Sequence, residues 1–142
     1  MRVLKEYRNV PLTPSPDHPP TLRLVAMPTD TNAYGDIFGG WLMSQVDIAG
    51  SIVAYRRARG RVVTVAVNAF QFLKPVYVAD LVSFYAEVIR VGRTSIGVAI
   101  EVYVDRDRGT AQREKVADAA LTYVAIDENR QPRPVPADEP RP

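Results

Sequence analysis

The sequence predicts an α+β fold, a curved antiparallel β-sheet wrapped around one long central helix. Three observations point to it. A single segment, Gly40–Arg57, carries helical apolar spacing. Four long runs rich in Val, Ile, Thr, Tyr and Phe follow it, separated by short turn signals. Long neighbouring strands joined by short turns favour antiparallel pairing, and one helix covers only one face of such a sheet.

The elements follow in order. Thr21–Met27 (TLRLVAM) alternates weakly and stops at Pro28, which predicts a short first strand. Thr29–Phe38 is a turn-rich loop of Asp, Asn and Gly. The helix then runs to Arg57 and is ended by Ala58, Arg59 and Gly60. The remaining strands are Val62–Phe72, Leu81–Val91, Thr94–Asp105 and Gln112–Ile126, with turns at Gly92-Arg93 and Asp107-Arg108-Gly109. Proline marks the limits of the domain. Five of the 12 prolines fall in residues 11–20 and five in 132–142, leaving only Pro28 and Pro75 between. Proline lacks the donor that helices and ladders need. Residues 1–20 and 129–142 therefore read as Pro-rich tails around one domain, 21–128.

Composition excludes several classes of function. A chain of 142 residues with 46% apolar and 24% charged residues is an ordinary single globular domain. The net charge of +2, without a basic stripe, argues against a nucleic-acid partner. The cluster Arg56-Arg57-Ala58-Arg59-Gly60-Arg61 reads as charge complementing a helix C-terminus. The absence of cysteine removes disulfides, thiolate catalysis and Cys-based metal sites. No signal-peptide run and no membrane-spanning stretch is present, so the expectation is a soluble cytoplasmic protein with no membrane insertion.

One residue conflicts with its surroundings. Between Asp36 and Arg56 the only charged side chain is Asp47, in the middle of the apolar helix. An unpaired carboxylate there costs several kcal/mol or takes up a proton, so it needs a partner or a task. Helical projection places Gly40, Ser44, Asp47 and Ser51 on one small, polar stripe. The expectation is that Asp47 faces a narrow crevice and not the sheet. At the head of the same stripe, Gly39 and Gly40 open the helix. Free N–H groups there, with the helix dipole, stabilise an anion, and glycine lets a ligand approach closely. An oxyanion donor and a general base are the minimum for acyl hydrolysis. A structural Asp bridging a neighbouring loop is the plain alternative.

The stretch DTNAYGDIFGGWLMSQVD (30–47) resembles the signature of hotdog-fold acyl-CoA thioesterases, specifically the YciA-like group, and is similar to the cytosolic long-chain acyl-CoA hydrolases of animals. The likeness continues in order through GRVVTVAV (60–67), FLKPVYVAD (72–80), VGRTSI (91–96) and YVAID (123–127). The sequence departs from the pattern at Asn68, where related proteins often carry Glu, and at Ala79, where Gly is usual. The resemblance implies that Asp47 is the catalytic carboxylate, as general base or as nucleophile through an anhydride. It implies that Gly40, with Gly39 shaping the turn, polarises the thioester carbonyl. Asn32 would help hold the carbonyl or the water from across a dimer interface. It further implies a homodimer joined edge to edge through the Val62–Val67 strand and assembled as a trimer of dimers.

Candidate contacts to the CoA and acyl parts of the substrate are Gly39, Trp41, Asn68, Phe72, Lys74, Arg93, Thr94 and Ser95. Lys74 and Arg93 to Ser95 combine cations and hydroxyls beside turns. The sole histidine, His18, lies in the N-terminal tail, which excludes a Ser-His-Asp triad, histidine-dependent dehydration and a zinc site. No cofactor or metal is expected, CoA being part of the substrate and product. The reading from a different class is a non-catalytic acyl-CoA binding or sensing module, which has no use for Asp47.

Overall fold

The concave face of the sheet is written in alternating apolar positions. On one strand Ile96, Val98, Ile100, Val102 and Val104 are buried, and on the next Ala117, Ala119, Leu121 and Tyr123. The computed structural model describes residues 18–138. The strands are β1 (Leu22–Val25), β2 (Val62–Phe72), β3 (Leu81–Val91), β4 (Ser95–Asp105) and β5 (Glu114–Ala125), and the single α-helix, α1, spans Gly39–Ala58. All pairings are antiparallel, in the order β1-β3-β4-β5-β2. The predicted elements are all present, with ends moved by at most two residues. No helix among the described residues is long and apolar enough to cross a membrane.

The buried side of α1 is Leu42, Val46, Ala49, Gly50, Ala54 and Ala58. Beyond Val46 these residues are small, so the helix lies close against the strands. Gly50 is the extreme case, because a Cβ there would stand 2.3 Å from the Tyr123 hydroxyl. Burial is non-directional, and polar contacts fix where along the sheet the helix comes to rest.

At its C-terminal end, Arg59 closes the helix in the left-handed region (φ 54°), with Arg56 and Arg57 in the last turn. Arg133 donates to the Ala58 carbonyl at 2.8 Å, and Arg57 donates to the Pro136 carbonyl at 2.6 Å. The backbone of the same segment pairs with strand ends, through Arg133 N–H to Ala125 O and Val135 N–H to Arg93 O. Residues 132–136 are thus stitched to the domain, which carries the packed chain past the limit of 128 read from the prolines. Proline forbids donation only at its own nitrogen, and here the residues between the prolines make the bonds. Of the predicted N-terminal tail, residues 1–17 lie outside the described residues.

At the N-terminal end of α1 the β2–β3 loop does the positioning. Asp36 bridges to Tyr77, and the Ile37 N–H donates to the Val76 carbonyl. That loop is clamped by Arg106, whose guanidinium binds both oxygens of Asp80 at 3.0–3.2 Å, Glu114 at 2.9 Å and the Pro75 carbonyl at 2.9 Å. It also sits 4.7 Å from the centre of the Tyr77 ring. Asp80 is 1% exposed and accepts the Tyr77 N–H. Replacing Asp80 by Ala leaves the Arg106 charge without its main partner in a partly buried setting, so Asp80→Ala is expected to lose about 3 kcal/mol. Urea unfolding of the two proteins at neutral pH measures this directly.

Candidate active site

The helix carries its lone acid to the sheet, and not into the outward crevice that the small-residue stripe predicts. Asp47 is half-buried. Its Oδ1 accepts hydrogen bonds from the Thr64 hydroxyl of β2 at 2.7 Å and from the Tyr123 hydroxyl of β5 at 3.1 Å. The difference has a physical reason. Helical projection sorts residues by size and polarity within one element, whereas a carboxylate beside an apolar sheet turns to the nearest donors. Thr64 and Tyr123 face each other across β2 and β5 and supply them. Of the rest of the predicted stripe, Ser44 is exposed and the Ser51 hydroxyl donates to the Ile48 carbonyl at 2.7 Å.

The start of α1 is as open as its glycines suggest. The Trp41 and Leu42 N–H groups donate to the Phe38 carbonyl at 3.1 and 3.3 Å. The N–H groups of Gly39 and Gly40 have no partner among the described residues. A Cβ on Gly39 would lie 3.2 Å from the Phe72 ring, while one on Gly40 would meet nothing within 4 Å. A side chain at position 39 would press on the Phe72 ring, whereas position 40 has open space beside it. Trp41, by contrast, packs against the core. A cleft of about 300 Å³ adjoins Gly39, lined by Phe38, Leu42, Phe72, Leu73 and Lys74 among others.

Asn32 sits in the loop that leads into the helix. Its Oδ1 accepts the Tyr34 N–H at 2.9 Å and the Asp36 N–H at 3.2 Å. The carboxamide oxygen is therefore spent inside the loop, and the NH₂ is what Asn32 can present to a ligand. Phe38 N–H to Asp30 O ties this loop to the helix start. Asn32, Gly39 and Gly40 consequently form one group, held at the N-terminus of α1.

Asp47 does not belong to that group. Seven residues separate it from Gly40, which is about 10 Å along a helix. A second cleft, of about 710 Å³, continues beyond Asp47 on the helix side of β2, lined by Ser51, Tyr55, Val62 and Val63 with Arg61 and Arg130 at its rim. The candidate CoA contacts are also split. Lys74 lies beside the helix N-terminus and pairs with Glu114 at 3.4 Å. Arg93, Thr94 and Ser95 lie at the opposite end, where Ala125 and Val135 bond to the carbonyls of Thr94 and Arg93. Asn68 is on the other face altogether. It is the extra residue of a bulge in β2, and the Thr122 hydroxyl donates to its Oδ1 at 2.6 Å. Thr122 alternates with the helix-facing Tyr123, so both Thr122 and Asn68 sit on the convex side. His18 is there too, its ring centre 6.0 Å from that of Tyr85.

Sequence reading names Asp47, Asn32 and the glycine pair as candidates, and does not name Thr64, Tyr123 and Gly50, which the structure gathers around the Asp47 carboxylate. A signal for Tyr123 exists. Along the helix-facing positions Ala117, Ala119, Leu121 and Tyr123 of β5, it is the one side chain with a polar tip, and a buried tyrosine hydroxyl seeks a partner.

Comparisons with known proteins agree with this geometry. Residues 34–111 match the profile of the Thioesterase superfamily. The acyl-CoA thioester hydrolase YciA of Salmonella typhimurium is 53% identical over 117 residues, covering 81% of this chain and 88% of that protein. A hexameric thioesterase from Yersinia pestis superposes with a TM-score of 0.81 at 52% identity, covering 87% of this chain and all of the other. An acyl-CoA hydrolase from Staphylococcus aureus, solved in complex with butyryl coenzyme A, superposes with a TM-score of 0.76 at 30% identity, over 85% and 73% of the two chains. Variants of that hydrolase with an aspartate or an asparagine replaced by alanine have been solved as well. With its single helix wrapped by a five-stranded antiparallel sheet, the chain has the hotdog fold and belongs to the thioesterase superfamily.

Proposed function

We propose that the chain hydrolyses acyl-CoA thioesters, with Asp47 as general base or nucleophile and the Gly40 N–H, assisted by Asn32, polarising the carbonyl. The observation that carries the reading is one helix with unpartnered N–H groups at its start and a hydrogen-bonded carboxylate in its middle. It occurs in a chain about half identical to proteins named acyl-CoA thioester hydrolases. In the base route, water gives a proton to Asp47 as its oxygen attacks the carbonyl carbon. The C–S bond then breaks and the sulfur of CoA takes the proton. In the nucleophile route, a carboxylate oxygen attacks, CoA leaves as the thiolate, and water opens the resulting anhydride. Either route develops negative charge on the carbonyl oxygen, which an N–H about 3 Å away stabilises.

Both groups must reach one carbonyl, and a separation of about 10 Å along the helix is too great for that. A second copy resolves the distance. β2 is an eleven-residue strand at the edge of the sheet, with Val65 55% and Val67 48% exposed. Beside it on α1, Met43, Ile48 and Tyr55 are exposed as well. A long apolar edge of this kind invites pairing. Antiparallel pairing of two β2 strands about a two-fold axis sets the start of one helix against the middle of the other. Asp47 then works with the partner subunit's Asn32 and the partner subunit's Gly40. The same operation brings Lys74 of one copy towards Arg93 of the other. Relatives described as hexameric favour three such dimers in one assembly.

Asp47→Asn keeps the shape of the side chain and removes the base. Release of free thiol from acyl-CoA is expected to fall about 100-fold or more in the folded variant. Activity should need no metal ion, because the chain has no cysteine and the single histidine lies on the convex face. Turnover abolished by EDTA and restored by a divalent ion would count against this. Mixing inactive Asp47→Asn with inactive Asn32→Ala should restore about a quarter of wild-type activity once subunits exchange at random. Half of the dimers are then mixed, each with one intact and one doubly damaged site. Mixed dimers as inactive as either parent would place Asn32 and Asp47 of the same chain in one site.

A further inference from the structure

We propose that Tyr123 and Thr64 are positioning residues that pin Oδ1 of Asp47 and so leave Oδ2 as the oxygen that meets the substrate or its water. The inference rests on Asp47 being the reacting carboxylate, as argued above. Three separate features of the chain converge on it.

The first is the bonding pattern of the carboxylate. Both side-chain donors, Thr64 Oγ1 at 2.7 Å and the Tyr123 hydroxyl at 3.1 Å, go to the same oxygen, Oδ1. Oδ2 accepts no hydrogen bond from any described residue. Two donors at one oxygen hold the plane of the carboxylate, and the orientation of a reacting group is worth more than its mere presence.

The second is the room made for the phenol. Tyr123 is fully buried, and its oxygen also lies 2.9 Å from the Asp47 carbonyl oxygen, so the single proton is shared between the two acceptors. The approach is possible only because the next turn of α1 carries Gly50, where a Cβ would stand 2.3 Å from that hydroxyl. A glycine in mid-helix weakens it relative to Ala, and the contact with Tyr123 is what it permits.

The third is the strand geometry. Thr64 is the direct partner of Tyr123 across the ladder, and the register breaks immediately after it, with Val65 as the extra residue. A bulge turns the strand and re-aims the side chain beside it. Here the neighbour is the threonine that reaches the acid.

Burial, then the Asp47 charge, holds the Tyr123 phenol far above the usual phenol range. A phenol raised in this way is a neutral donor at neutral pH, which fits a fixed support.

Steady-state kinetics on the full-length protein test the inference, with folding checked by circular dichroism melts. Tyr123→Phe and Thr64→Val are expected to lower kcat by roughly ten-fold each with KM little changed, since a hydrogen bond to a charged group is removed away from the substrate. The double variant should lose less than the product of the two, because both donors serve one oxygen. Gly50→Ala, which keeps both hydroxyls and only displaces the phenol, should lower kcat in the same way. Wild-type kcat per folded site in Tyr123→Phe and Thr64→Val, beside an inactive Asp47→Asn, overturns the inference alone. Full turnover in Asp47→Asn overturns the reading of Asp47 itself, and this inference with it.

Discussion

One apolar helix has to lie on one apolar sheet, and nothing in hydrophobic burial says at which register it stops. The sheet presents Val, Ile, Ala and Leu along its concave face, and α1 presents Leu42, Val46, Ala49, Ala54 and Ala58 to it. Sliding the helix by a turn would bury similar area. What holds it is polar and sits at three heights. The loop clamped by Arg106 and Asp80 grips its start, Tyr123 and Thr64 grip Asp47 in its middle, and Arg133 takes the Ala58 carbonyl at its end. Each of these contacts has one geometry, so together they convert a greasy surface into a defined position.

The site depends on that position twice over. The helix N-terminus must project its free N–H groups at a height set by the β2–β3 loop, because Ile37 and Asp36 are hydrogen-bonded to that loop immediately before the helix begins. The carboxylate must emerge at the bulged strand β2, the longer of the two edge strands in the described sheet. The geometry therefore puts the open N–H groups at one end of the helix and the carboxylate at its middle, beside an apolar strand edge. Under the proposed function a dimer is what brings the two together, at the edge where Val65 and Val67 are exposed. A single chain holds the open N–H groups and the carboxylate about 10 Å apart along the helix.

Much of this was legible in the sequence, and the pattern of what was not is instructive. The alternation in β4 and β5 and the 3.6-residue spacing of α1 are local properties, so the elements and their order could be read residue by residue. Asp47 stood out because a lone charge in an apolar helix is improbable without a reason. Asn32, Gly39 and Gly40 stood out through the motif they share. The direction of the Asp47 side chain was read wrongly, since it is decided by donors on strands 17 and 76 residues away in sequence. Asn68 and the Arg93–Ser95 turn looked like site residues by type. A bulge sends Asn68 to the convex face, and the turn sits at the far end of the helix from Lys74.

By itself, then, the sequence determined the class of fold, the order of its elements, the family, and which residues stand out as a candidate acid and candidate amide donors. These follow from periodicity, from residue type and from the family motif, all of which are written in consecutive residues. The tertiary structure alone decided which oxygen of Asp47 is held and by what, why a side chain at position 50 would collide with Tyr123, how Pro-rich residues 132–136 come to cap the helix, and that one chain keeps the carboxylate apart from the open N–H groups. Each of these is a meeting between residues far apart in the chain. Such meetings are set by strand pairing, by a one-residue bulge and by the depth at which the helix seats. No local pattern encodes them, because moving any of the three by a few ångströms would change the partners without changing a residue.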